Sequence, residues 1–311
     1  MRELMQIETP VELADAGPDA HWVLRDGAQQ AGWLSLWWRQ TPAYREHRVG
    51  LIGHYDARDA DAAGRLLRHA GAELAAQGCT LAAGPLDGST WRRYRLVVES
   101  GGEPPFLLEP QNPPDWPQHW DAAGFTPLAR YYSALNDDLS HEDPRVPAAE
   151  VRLAAAGVTV RTLLPDAYEE ELRRIYEVSV ISFRENYLYT PLSWEAFLAL
   201  YSPVRRVVDH RVTLIAEQAG HPVGFAFNLP NLQPAGEPVD TLIVKTVAVL
   251  PGRAYAGLGS VLIARSHRLA REHGYRRVIH ALMHERNNSR NISNRFARPI
   301  RRYALYAREL P

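Results

Sequence analysis

The sequence predicts an α/β (α+β) chain made of two similar halves, on three observations. The stretch 246–262, TVAVLPGRAYAGLGSVL, passes from a β-branched run through a glycine-bearing turn straight into an amphipathic helix. Beyond residue 158 the periodic segments fall in the order βααβββαβαβ. A weak internal repeat links the halves: 125–131, FTPLARY, is echoed by 296–303, FARPIRRY, with proline, aliphatic residue, arginine and tyrosine in the same order.

In the first half a hairpin turns near Asp26-Gly27, with 33–38 beyond it, then a strand at 48–54, a helix to about Gln77 and a strand beginning at Cys79. Segment 136–156 carries Asp137, Asp138, His141, Glu142, Asp143, Pro144 and Pro147; acidic, proline-punctuated and poor in large apolar residues, it reads as a linker or a surface helix between domains. The expected division is 1–136, a linker over 137–157, and 158–311. In the second half 158–163 is a strand and 166–182 a helix on the spacing Leu172, Ile175, Tyr176, Ser179. A second helix starts at the N-cap Ser193 with Trp194, Phe197 and Leu200 on one face. A hairpin follows, 212–217 and 223–228 around Ala219-Gly220, then a strand over 239–249 and a helix to about His273 that Gly274 stops. A strand at 277–283, a short helix after Asn288 and a last strand at 300–306 complete the order.

A helix start presents free N–H groups and partial positive charge, and Gly257 and Gly259 place no Cβ before an approaching phosphate. The turn therefore reads as an anion site for a nucleotide-like cofactor. The lysine of a Walker loop is missing, and Leu262 stands where a dinucleotide fingerprint needs its third glycine. What remains, a hydrophobic-Ala-Val strand end, Pro251, Arg253 and GxG at the helix mouth, resembles the coenzyme A loop of the GNAT (GCN5-related N-acetyltransferase) superfamily, written Q/RxxGxG or Q/RxxGxA. Over 158–311 the element order is similar to that superfamily's from end to end. Arg253 falls one place before the family's Gln or Arg, a position Ala254 occupies, so the departure touches one side-chain contact. The N-terminal half looks like a second copy, with Ala62 in place of Gly257 and Asp56, Asp59 and Asp61 facing the phosphate position. Like charges repel, so cofactor binding is expected of the C-terminal domain alone. The resemblance implies two tandem GNAT folds, each a mixed, mostly antiparallel sheet with helices on both faces.

It also implies acetyl-CoA as co-substrate. Unpaired main-chain groups at Val247, Ala248 and Val249 would hold the pantetheine, and Arg253, Ala254, Tyr255, Ala256, Gly257, Leu258, Gly259 and Ser260 the diphosphate. The family's acid is a tyrosine in the pattern NxxAxxLYxxxGF. With Asn288 placed first, and counted among the cofactor contacts, Ile292 falls on the apolar face but Arg295 takes the tyrosine position. Tyr303 on the last strand is then the candidate acid, with water as the alternative. For the base, His284, sharing a strand face with His280, and Asp240 are candidates, with Lys245 and Glu285 beside them. Segment 183–191 holds the position from which the family lines its acceptor site.

Composition narrows the partners. Hydrophobic content of 46% and charged content of 23% are those of a soluble globular protein, and a formal net charge of −1 gives no field for nucleic acid or anionic lipid. No apolar run approaches a membrane span and no signal-peptide pattern opens the chain, so a cytoplasmic location is expected. The lone Cys79 excludes an internal disulfide and a thiolate cluster, and no HExxH spacing points to a metal. The expected function is N-acetyl transfer from acetyl-CoA to the amine of a small molecule or protein by direct attack. The alternative is a non-catalytic coenzyme A-binding or interaction scaffold of paired folds.

Overall fold

Both halves of the chain feed one sheet. The computed structural model describes residues 2–232, 239–286 and 293–311. In chain order these form β1 (Arg2–Ile7), the single-turn α1 (Val11–Ala14), β2 (Ala20–Asp26), β3 (Gln29–Trp37), β4 (Ala43–Tyr44), β5 (His47–Ala57), α2 (Ala60–Ala76), β6 (Leu81–Gly84), β7 (Leu96–Ser100), α3 (Trp116–Ala122) and β8 (Thr126–Asn136). They continue with α4 (Val146–Ala155), β9 (Val158–Thr162), α5 (Tyr168–Ser182), α6 (Trp194–Tyr201), β10 (Leu214–Gln218), β11 (His221–Pro230), β12 (Thr241–Val249), α7 (Leu258–Glu272), β13 (Arg277–His284) and β14 (Arg298–Glu309). The helix expected after Asn288 falls largely outside the described residues.

The strand order is β1-β2-β3-β5-β6-β14-β8-β13-β12-β11-β10-β9, with β4 on β5 and β7 on β14. The β5–β6 and β12–β13 pairs are parallel and the others antiparallel. At the centre the strands are exchanged: β8 pairs with β13, while β14, last in the chain, pairs with both β6 and β8. Each half thus completes its sheet with a strand of the other. The repeat seen in the sequence is this central pair, with Tyr131 lying opposite Tyr303.

Helices cover the sheet where their apolar stripes demand it. On α2, Ala62, Ala63, Leu66, Leu67, Ala70 and Leu74 recur at helical spacing and are fully buried, each large side chain contributing about 1.5–3 kcal/mol. On the other half, Leu172, Ile175 and Val178 of α5 pack with Phe197 of α6 against Phe225 and Phe227 of β11. α7 sets Leu258, Val261 and Leu262 against Leu214, Val223 and Ala226. The stretch read as a linker or a surface helix contains α4, whose Val146, Ala149 and Leu153, spaced by three and four, are buried and pack onto the start of α7. Charge and proline masked that stripe in the sequence. Among the described residues no helix is long and apolar enough to cross a membrane.

Candidate active site

The glycine turn stands open at one end of β12. Gly257 adopts φ of +84°, a left-handed conformation suited to glycine, and caps α7 without a side chain. Val261 makes the first helical bond, to the Gly257 carbonyl at 3.1 Å, and the amides of Gly257, Leu258, Gly259 and Ser260 donate to no acceptor among the described residues. Leu258 is buried and anchors the turn, while Arg253, Ala254, Ala256 and Gly257 are exposed. Tyr255 donates to Gln218 Oε1 at 2.9 Å, and Arg152 of α4 donates to the Ala256 carbonyl. Asn288 lies outside the described residues.

Beside the turn the sheet splits. β12 and β13 pair only from Thr241 to Val244, against Arg277 to His280. Beyond that β13 stays with β8, where Met283 faces Tyr132 and His284 faces Tyr131, and 245–249 keep only β11. The β13-facing edge of Val247, Ala248 and Val249 therefore carries no strand, and there the Val249 carbonyl accepts from Ser182 Oγ at 3.0 Å. Lys245 sits at the apex as the extra residue of a bulge, between the Phe227–Thr246 and Asn228–Val244 pairs. Its ammonium makes no hydrogen bond or ion pair among the described residues, and burial first, then the charge of Arg95, pushes its pKa down to about 8.

Of the other sequence candidates, only His284 reaches this cleft. Its ring stacks on Tyr187 at 5.2 Å and meets Tyr131 edge-on at 5.0 Å. The Arg286 amide donates to His284 Nδ1 at 3.1 Å, so the neutral ring carries its proton on Nε2 and has no free lone pair. Desolvation lowers its pKa, with Arg286 and Arg95 adding to the shift. Asp240 precedes β12 at the end opposite the turn, five residues or about 16 Å from Lys245, and its carboxylate accepts from Thr241 at 2.8 Å. Tyr303 has no exposed surface; its hydroxyl donates to Glu109 and lies 3.0 Å from Ser133 Oγ, and burial raises its pKa. A phenol so placed neither touches the cleft nor releases its proton readily. This is a correction to the sequence reading for Asp240 and Tyr303. Arg295, in the family's tyrosine position, pairs instead with the buried Asp143.

The rest of the cleft wall comes from residues the sequence did not single out. Arg95, ahead of β7, is buried and donates to the Leu282 carbonyl at 3.1 Å, with its guanidinium 3.8 Å from the centre of the Tyr94 ring and 4.1 Å from that of Tyr131. Tyr44 packs 5.8 Å from Tyr187. Segment 183–191 seals the far side: Leu188 is buried among residues of the first half, and Trp91 donates to the Thr190 carbonyl at 2.9 Å. Tyr131 alone had a signal, as the tyrosine of the internal repeat.

Residues 167–297 match the family described as "Acetyltransferase (GNAT) family". A solved structure described as a tandem GNAT protein from the clavulanic acid biosynthesis pathway superposes with a TM-score of 0.52 at 15% identity, covering 99% of this chain and 98% of that one. Residues 167–297 thus match the GNAT family, and the chain as a whole shares the fold of that tandem GNAT protein. Among curated proteins it is 26% identical over 198 residues to the bacterial ceramide synthase of Caulobacter vibrioides, covering 63% of this chain and 51% of the relative. It is 22% identical over 222 residues to Protein YghO of Escherichia coli, covering 69% and 55%. The chain spans about half the length of these curated relatives.

Proposed function

We propose that the chain is an acyl-CoA-dependent N-acyltransferase, with acetyl-CoA as the expected donor, acting on an amine by direct attack. The observation that carries this reading is the pairing of four unengaged amides, Gly257 to Ser260, with a strand edge that opens from Lys245 onward. A diphosphate fits the amides and the dipole of α7, and the strand-free edge over Val247, Ala248 and Val249 fits an amide-bearing arm. Bound acyl-CoA supplies an activated thioester carbonyl. The chain supplies the rest: the exposed turn for the diphosphate, the cleft for the amine, and Lys245 Nζ to take the proton the amine loses as its C–N bond forms. His284, a donor through Nε2, is assigned to orienting the acceptor. The departing sulfur takes its proton from water. The likeness to a protein named ceramide synthase supports a donor range that extends to longer acyl chains. Cofactor binding is assigned to the C-terminal half alone.

Calorimetric titration with acetyl-CoA, then thiol release across a panel of amines, tests this. Binding followed by thiol release on an amine is the expected result. Binding with no release on any amine favours the scaffold alternative, and absence of binding overturns both.

A further inference from the structure

Among the described residues two cations of the cleft, Arg95 and Lys245, make no ion pair with a carboxylate. Arg95 is only 6% exposed, yet one Nη is its sole hydrogen-bonding group engaged, at the Leu282 carbonyl, and its buried Nε has no acceptor. No carboxylate lies in ion-pair contact with it among the described residues. Other arginines off the surface have a carboxylate in ion-pair contact: the buried Arg301 meets Glu109 at 2.9 Å, and the part-buried Arg161 meets Glu171 at 2.6 Å and Glu217 at 2.8 Å. Tyr94 and Tyr131 flank the Arg95 guanidinium with their ring faces, which stabilises the cation and fixes its plane while its Nε–Nη2 edge meets no acceptor among the described residues. That edge is the fork that matches a carboxylate. Lys245, unpartnered at the apex, adds a second positive charge to the same space. A buried, immobilised and unanswered guanidinium is costly unless a ligand completes it.

We propose that the acceptor amine carries a carboxylate, which docks on the Nε–Nη2 edge of Arg95, so that the N-terminal half reads the acceptor that the C-terminal half acylates. This rests on the acyltransferase reading for the word acceptor; the carboxylate site itself stands on Arg95 alone. Specificity then follows from removing the anion: a neutral analogue leaves the fork unpaired, where the acid fills it.

The test titrates the protein calorimetrically with amines matched in all but the acid group, such as an amino acid, its primary amide and the amine lacking that group, and follows thiol release from acetyl-CoA on each. The acid is expected to bind at least about 10-fold tighter and to turn over with a correspondingly higher kcat/KM. Arg95→Gln should abolish that preference and Arg95→Lys retain part of it, with acetyl-CoA affinity and melting temperature monitoring the fold. Equal binding of the three ligands by the unaltered protein, no binding of any, or an equal loss for all in Arg95→Gln overturns the proposal. Acid-selective binding without acetyl-CoA binding would overturn the acyltransferase reading and leave the carboxylate site standing.

Discussion

The turns that follow β5 and β12 are built on one plan and end in opposite electrostatics. Each follows a strand paired in parallel over a few residues only, Val49 to Leu51 with Leu81 to Ala83 in the first half and Thr241 to Val244 with Arg277 to His280 in the second. Each strand carries a bulge just past that pairing, around His54 at φ of +44° and at Lys245. In the first half the opening is filled: Asp87 accepts from the His54 amide at 2.6 Å and Leu86 donates to the Ile52 carbonyl at 2.8 Å. Asp59 caps α2, accepting from the Ala62 amide at 2.9 Å, and Arg2 answers Asp59, Asp61 and Asp26. Asp59 and Asp61, which the sequence sets at the phosphate position, have their counterion in Arg2, some 57 residues away in the chain from Asp59. A protein carboxylate thus caps the helix mouth in one half, and a glycine without a side chain stands there in the other. One residue type separates a capped turn from one whose first amides meet no acceptor among the described residues.

The sharpest way to break this comparison is at Lys245, where the first half has no lysine. Lys245→Met should lower kcat by about 100-fold or more, the usual worth of a positioned base, and erase the rise of kcat/KM through pH of about 8. Stability should move the other way. A lysine whose pKa falls from 10.5 to about 8 on folding leaves the unfolded chain holding more protons between those values, so stability climbs with pH across that window and is lowest below it. Removing the amine should therefore stabilise the protein at pH 7 by about 1–3 kcal/mol in denaturant titration. A lost rate with lost stability would mean that Lys245 only packs.

Next in size is transplanting the first half's cap. Gly257→Asp would put a carboxylate where Asp59 stands, at a position where any Cβ comes within 3.2 Å of Ala149 and 3.3 Å of Arg152. Acetyl-CoA affinity should fall by about 100-fold, measured calorimetrically, through repulsion and blocked amides together. Unchanged affinity would move the diphosphate elsewhere.

What the sequence made legible was local. The glycine turn, the strand before it, α5, α7 and Ser193 as a cap, accepting from the Ala196 amide at 3.2 Å, are each specified by neighbours within a few residues. The cleft was not, because its walls come from both halves: Arg95 meets the Leu282 carbonyl across 187 residues of chain, and Tyr44 meets Tyr187. Tyr303 and Asp240 misled for a related reason. Position along a strand says nothing about whether a phenol is sealed against Glu109, and Asp240 shares a strand with the site but not an end of it. The strand exchange at β8 and β14 left only its trace, the repeated tyrosines.

Each half also buries a pair of histidines, bridged through Ser35 for His21 and His54 in the first and in direct contact in the second, and acid should find the direct pair. His267 and His280 face each other Nε2 to Nε2 at 2.8 Å, with His280 Nδ1 2.9 Å from Ser293 Oγ and His267 Nδ1 3.4 Å from Asn136. Burial drives both pKa values down, that of His280 to about 4. The unfolded chain then takes up protons first, so the stability linked to this pair should be fully present above pH of about 6.5 and decline as pH falls toward 4. His280→Gln should flatten that decline in urea titrations; an unchanged slope would place the acid sensitivity elsewhere.

The smallest expected effect completes the contrast. Asp59→Ala removes the cap of α2 and the carboxylate that Arg2 holds at 2.6 Å, which should cost about 1 kcal/mol of stability. It should leave acetyl-CoA affinity unchanged, because exposing the first amides of α2 does not reopen an edge that Asp87 and Leu86 already occupy. A second equivalent of acetyl-CoA binding to this variant would show that the cap alone had closed the first half, and that the filled opening beside it was secondary.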